Sequence, residues 1–186
     1  ESGTGKELVA KTIHDLSDRG GQHFITVHCG AIPDNLVESE FFGYRKGAFS
    51  GATQDKPGYL DAVDGGTLFM DEVGELNLPM QVKLLRAIEG GGYTPIGSSQ
   101  VKQADIRIVA ATNRNLQRRV EAGRFRRDFY YRIHILPIHL PPLKSRKEDI
   151  PLLINHFVSD FPQSDKLPVI PQQVIAAMQR YDWPGN

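Results

Sequence analysis

Short β-rich apolar runs that alternate with stretches of helical spacing constrain this chain more than any other feature. His23-Phe24-Ile25-Thr26-Val27-His28-Cys29, Thr67-Leu68-Phe69-Met70, Ile106-Arg107-Ile108-Val109-Ala110-Ala111 and residues 133–140 read as strands. Residues 6–13, 33–42, 78–89, 116–122 and 127–131 read as helices, with Val82, Leu85 and Ile88 on one face of the third. Such alternation predicts an α/β fold with a parallel sheet flanked by helices. Ligands of such sheets bind at the carboxyl ends of the strands, where Asp71, Glu72, Thr112 and Asn113 all fall. Residues 43–58 are Gly-rich and irregular, and residues 93–103 predict a hairpin around Gly97-Ser98-Ser99. Pro141-Pro142 break the pattern, so an α/β subdomain is expected over 1–141 and a partial helical one over 142–186. Within the second, 150–161 and 171–181 read as helices.

Charge and cysteine usage narrow the function classes. The chain has 186 residues, 22 Lys plus Arg and 22 Asp plus Glu, hence zero formal net charge. Duplex affinity rests on phosphate neutralisation, so a neutral balance argues against bulk DNA binding by this segment. Cys29 is the one cysteine, which excludes an intrachain disulfide and points to a reducing, cytoplasmic setting. No apolar run reaches membrane-spanning length. Glu1 opens inside a loop motif and the last residues stop on a turn signal, so a piece of a longer protein is expected.

Ser2-Gly3-Thr4-Gly5-Lys6 runs straight into helical spacing. Glycines let backbone N–H groups turn toward phosphate oxygens, and a helix start adds a favourable dipole. Lys6 would reach the β- and γ-phosphates. A generic phosphate loop has Ser or Thr where this chain has Glu7, and a Gly-containing turn before a helix is the plainer alternative. The apolar run 67–70 ends in the adjacent carboxylates Asp71 and Glu72. Asp71 is placed to hold Mg²⁺ through water, and Glu72 to orient and deprotonate an attacking water. A solvated strand end explains the same pair alone; together with a phosphate loop it favours phosphoryl transfer from ATP.

Asn113 could hydrogen-bond a γ-phosphate or the water, or simply cap a helix beginning near Asn115. The segment Arg124-Phe125-Arg126-Arg127-Asp128-Phe129-Tyr130-Tyr131-Arg132 is basic with interleaved aromatics. Nucleic-acid binding, arginine fingers and a solvated helix face all fit it.

The motifs together resemble the central AAA+ domain of the sigma-54-dependent activators, also called bacterial enhancer-binding proteins. Gly47-Ala48-Phe49-Ser50-Gly51-Ala52 is similar to the family's signature G-A-F-T-G-A loop. Glu1 through Glu7 resembles its G-E-S-G-T-G-K-E, which accounts for Glu7. Residues 65–75 resemble G-G-T-L-F-L-D-E-I-G-E, Ala111-Thr112-Asn113 its first sensor, and 125–132 its F-R-x-D-L-Y-Y-R. Trp183-Pro184-Gly185-Asn186 is similar to the W-P-G-N before its second sensor.

The resemblance implies a P-loop AAA+ ATPase with the start of a helical lid, which remodels RNA polymerase holding sigma-54. It implies that Glu1, Ser2, Gly3, Thr4, Gly5, Lys6 and Glu7 form the ATP loop, Asp71 holds Mg²⁺ and Glu72 drives hydrolysis. Arg126 and Arg132 would act in trans, which implies a ring of subunits, typically a hexamer. Phe49 and its neighbours would touch sigma-54, and DNA would be contacted only through a separate domain. Another AAA+ remodeller and a nucleotide-gated module without efficient turnover are the alternatives. Ser50 stands for the family's Thr and keeps the hydroxyl. His28 stands where the family usually has Asn, a switch position from which it can hydrogen-bond Glu72, unless it is only a satisfied strand-end histidine. The resemblance puts the loop's first Gly before Glu1 and a second-sensor Arg after Asn186, so this piece alone is expected to be weakly active at most.

Overall fold

The structure, a computed structural model, describes residues 2–159 and 170–186. Its elements are α1 (Lys6–Asp15), β1 (Phe24–His28), α2 (Asp34–Phe42), the single turn α3 (Tyr59–Ala62), β2 (Thr67–Asp71), α4 (Leu78–Ile88), β3 (Arg107–Ala110), α5 (Leu116–Glu121), α6 (Arg127–Ile133), α7 (Ile150–Ser159) and α8 (Gln172–Arg180). The chain divides into two compact units, Glu7–Pro137 and a second one made of the described part of 1–6 with Ile138–Asn186.

In the first unit the three strands form one parallel sheet in the order β1-β2-β3. Thr67, Leu68, Phe69 and Met70 of the central strand are fully buried, as expected of a parallel strand covered on both faces. The register pairs His28 with Asp71 and Met70 with Ala110, so the three strands end level. Phe41, Phe42, Leu60, Leu84 and Phe129 complete a core around Leu68 and Met70.

α4 begins where the Asn77 side chain accepts from the Met80 N–H at 3.0 Å, an N-cap. Its buried positions are Met80, Gln81, Leu84 and Ala87, while Val82 is exposed. The expected face of Val82, Leu85 and Ile88 is therefore only the flank of the buried one. Gln81 is tolerated inside because both ends of its amide are used: Nε2 donates to Leu76 O at 2.8 Å, and Oε1 accepts from the Arg126 N–H at 2.8 Å.

The hairpin expected over 93–103 is a single antiparallel bridge between Tyr93 and Lys102. The strand expected over 133–140 does not form. α6 extends through Ile133, and Pro137, Pro141 and Pro142 cannot donate to a ladder. Among the described residues no strand pairs with this segment, and Ile135 and Leu136 are exposed.

In the second unit α7 and α8 pack on each other. Residues 160 and 161 of the helix expected to 161 lie outside the described residues. Trp183 Nε1 donates to Met178 O at 2.8 Å, which folds the 183–186 turn back onto α8. No helix among the described residues is long and apolar enough to cross a membrane.

Candidate functional site

The level strand ends bring the acidic pair and the polar residues after β3 together. Asp71 closes β2, and its Oδ1 accepts the Glu72 N–H at 2.9 Å. Glu72 takes a left-handed conformation, φ 54° and ψ 39°, uncommon for a residue with a side chain. The chain thus turns sharply after Asp71 and sends the two carboxylates in different directions.

Glu72, Glu75, Asn113 and Arg114 line one cavity of ≈ 500 Å³ with Cys29 and Gly30. Arg114 Nε pairs with Glu75 Oε1 at 2.7 Å, and the Thr112 hydroxyl accepts the Arg114 N–H at 3.0 Å. These contacts fix the turn that carries Asn113. A Cβ built on Gly30 would lie 2.5 Å from Glu72 Oε2, so the Glu72 carboxylate occupies space that only a glycine leaves open. Burial, and next the negative charge of Asp71, push the Cys29 thiol up to about 12; it stays protonated and is no nucleophile at neutral pH.

His28 does not meet Glu72. Its Nδ1 lies 3.4 Å from Asp71 Oδ2, because the parallel register sets His28 beside Asp71 while Glu72 turns away. The expectation that His28 hydrogen-bonds Glu72 is corrected accordingly.

The loop before α1 belongs to the second unit. Gly3 and Gly5 have φ of +72° and +91°, the left-handed region that a side chain strains. Thr4 between them is buried, and Lys6 is the first residue of α1. Glu7 follows in the first helical turn, where its Oε1 accepts from the Thr26 hydroxyl at 3.4 Å. Glu1 lies outside the described residues. Alternating glycines that open onto a helix start form a cradle suited to an anion.

The loop at 47–52 is a closed excursion. At its base Tyr44 and Lys56 exchange backbone hydrogen bonds at 2.9 Å in each direction, and the Gly47 N–H donates to Ala52 O at 2.8 Å. Gly47 and Gly51 take positive φ of 82° and 105°. Ala52 is buried, whereas Phe49 is 44% exposed and sits edge-on to Tyr44 with ring centroids 4.9 Å apart. Ser50 lies at the exposed turn beside it, and Ala48 rests against Gly97, whose Cβ would come within 2.7 Å of Ala48 Cβ.

Of the two expected finger residues, Arg126 forms a fork with Asp128, Nε to Oδ1 at 3.0 Å and the second bond to Oδ2 at 2.6 Å. That hydrogen-bonded pairing raises the Arg126 pKa and lowers that of Asp128. Arg132, in the last turn of α6, donates to Ile88 O at 3.1 Å. Gly30, the Arg114–Glu75 pair and Gln81 were not singled out from the sequence; their roles depend on contacts between segments remote in the chain.

The chain matches the Sigma-54 interaction domain model over residues 1–139 and the AAA+ ATPase lid domain model over 144–186. It is 48% identical to the hydrogenase transcriptional regulatory protein HoxA of Bradyrhizobium diazoefficiens, over 100% of this chain and 39% of that protein. It is 49% identical to the regulatory protein LuxO of Vibrio cholerae serotype O1, over 100% of this chain and 36% of that one. It therefore spans well under half the length of these relatives. Among solved structures it is similar to NtrX from Brucella abortus, with TM-score 0.89 and 34% identity over 100% of this chain and 42% of that one. NtrX has also been solved with ADP and with ATP. Hsp104 of S. cerevisiae, at TM-score 0.71 and 17% identity over 98% of this chain and 35% of that one, shares the fold. With a model of the family matched over most of its length, the chain belongs to the sigma-54 interaction domain family, the central AAA+ domains of sigma-54-dependent transcriptional activators.

Proposed function

We propose that this chain is the ATP-hydrolysing part of an activator that remodels the sigma-54 RNA polymerase closed complex in the cytoplasm to open promoters. The observation that carries the reading is the meeting of Glu72 and Asn113 on one cavity at the strand ends, in a member of this family.

The backbone N–H groups around Gly3, Thr4 and Gly5 would cradle the phosphates, with Lys6 adding a charge and Ser2 and Glu7 flanking the loop. The positive φ of both glycines fits that use. Asp71 would hold Mg²⁺. A single carboxylate at the end of β2 suits this ion, because Mg²⁺ is commonly held by one or two carboxylates, waters and phosphates. When bound, the ion neutralises charge on the β- and γ-oxygens.

Glu72 would orient a water and accept its proton as the water oxygen bonds to the γ-phosphorus. The bond from that phosphorus to the bridging oxygen breaks, and ADP leaves. Asn113 would position the water or the γ-phosphate through a neutral hydrogen bond. Arg126 and Arg132 would offset charge in a neighbouring subunit's site, which makes a closed ring, typically of six, the working form. Residues 1–141 would form the α/β subdomain and 142–186 part of the lid. The 47–52 loop would dock on sigma-54 with Phe49 as its anchor, and Ser50 retains the hydroxyl at the tip. DNA would be held by another domain of the full-length protein.

Two variants of the full-length protein test this. Glu72→Gln should retain ATP binding and lose about 10²–10⁴-fold in turnover; undiminished hydrolysis would remove Glu72 from the mechanism. Phe49→Ala should spare the ATPase and abolish open-complex formation at a sigma-54 promoter. Normal promoter opening by that variant would remove the loop from the account. Nucleotide binding without turnover in the unaltered full-length protein would instead favour a nucleotide-gated module.

A further inference from the structure

The second unit holds the phosphate loop by its carbonyls. Asn186 Nδ2 donates to Ser2 O at 2.7 Å, and Asn186 Oδ1 accepts the Leu143 N–H at 2.5 Å. Each end of this amide faces a partner of the opposite kind, which fixes its orientation. Arg146 donates from its terminal NH2 to Thr4 O at 2.8 Å, and its Nε is buried without a partner among the described residues. The loop therefore has two carbonyls, two residues apart, tied to side chains at 146 and 186.

A trans peptide is planar, and its C=O and N–H point in opposite directions. Ser2 O shares a peptide with the Gly3 N–H, and Thr4 O shares one with the Gly5 N–H. Holding both oxygens on the side of Arg146 and Asn186 turns both N–H groups to the opposite side. Gly3 and Gly5 take left-handed φ of +72° and +91°, conformations that glycine adopts without strain and that bend the loop so that its N–H groups form an anion-binding nest. We propose that Arg146 and Asn186 are positioning residues that orient the Gly3 and Gly5 amides toward nucleotide phosphates. The inference rests on the loop's being the phosphate cradle.

Both side chains would act through the loop backbone, since the bonds they make are to Thr4 O and Ser2 O. The guanidinium has a second consequence. As a cation bound to Thr4 O it polarises that peptide and strengthens its N–H as a donor on the far side. Asn186, being neutral, supplies direction alone. Loss of Arg146 thus removes both orientation and polarisation, and its effect should be the larger.

The test measures ADP affinity and melting temperature, with and without ADP, in the full-length protein and in Arg146→Ala, Arg146→Lys, Asn186→Ala and Lys6→Ala. Expected are a weakening of ADP binding by about tenfold or more in Arg146→Ala, somewhat less in Asn186→Ala, and partial recovery in Arg146→Lys. The stabilisation conferred by ADP should shrink in step, while the melting temperature without ADP moves little. Unchanged ADP affinity in both alanine variants, with binding lost in Lys6→Ala, would overturn the clamp and leave the cradle standing. Full ADP binding by Lys6→Ala would overturn the cradle itself. A fall in the nucleotide-free melting temperature that accounts for the lost affinity, with no recovery in Arg146→Lys, would reduce both residues to structural parts and also overturn the proposal.

Discussion

At the scale of single residues, the aim of Glu72 depends on a side chain that is missing. Gly30 is exposed and its backbone needs no left-handed conformation, so alanine there costs no backbone strain. The new Cβ would nevertheless meet Glu72 Oε2 at 2.5 Å, and the flexible carboxylate would move away. Gly30→Ala should therefore lower ATP turnover on the order of 10–100-fold with ADP affinity unchanged, because a misplacement of about 1 Å at a reacting group costs about that much. Wild-type turnover in Gly30→Ala would show that Glu72 does not act from this position. Asp71, Glu72 and Asn113 were legible in the sequence because an apolar run that stops abruptly on polar residues marks a strand's carboxyl end. The partner of His28 was not, since it follows from register: pairing β1 with β2 sets His28 beside Asp71, and no local pattern encodes that alignment.

At the scale of elements, Asp61 joins three segments that the sequence leaves apart. From the first turn of α3 its Oδ2 accepts the Gly58 N–H at 3.1 Å, where the chain returns from the 47–52 loop, and its Oδ1 pairs with Lys102 of the 93–103 turn. Burial alone would raise its pKa, but hydrogen bonds from Lys102, Tyr93 and the Gly58 N–H outweigh that and hold it below the usual carboxylate value of 3.8. A depressed folded pKa contributes stability that is complete above the unfolded value and is lost as pH falls through the folded one. Asp61→Asn should thus destabilise the protein by roughly 1–3 kcal/mol near neutral pH. The difference from wild type should narrow only below about pH 4, as the wild-type carboxyl protonates. Melting curves across that range check it; a gap independent of pH would mean the carboxylate's charge contributes nothing. The same scale shows where periodicity misleads. In α4 both Val82-Leu85-Ile88 and Met80-Leu84-Ala87 are apolar rows, and the row that faces the core also carries Gln81, whose amide is satisfied by Leu76 O and the Arg126 N–H. For 133–140 the apolar composition was strand-like, but a strand needs a neighbour to share its hydrogen bonds, and the described residues supply none.

At the scale of the whole molecule, the proposed role of Arg126, the residue just before α6, can be tested by mixing subunits. The Arg126 fork to Asp128 is exposed to solvent on both sides, so it contributes little to stability and is free to be exchanged for a more strongly charged partner. If Arg126 serves a neighbour's ATP, each working site combines Glu72 of one subunit with Arg126 of the next. Glu72→Gln and Arg126→Ala should then each be inactive as pure rings, for opposite reasons. Mixed in equal amounts, the two variants create interfaces at which an intact Glu72 meets an intact Arg126. Random assembly of a closed heterologous ring would restore about a quarter of the sites. ATP turnover of the mixture should rise from background toward that fraction and depend on the mixing ratio, with a maximum near equal parts. An Arg126→Ala protein that hydrolyses ATP normally by itself would exclude the finger role. Two inactive variants that stay inactive at every ratio, although they co-assemble, would place Arg126 in its own subunit's chemistry and remove the requirement for a neighbour.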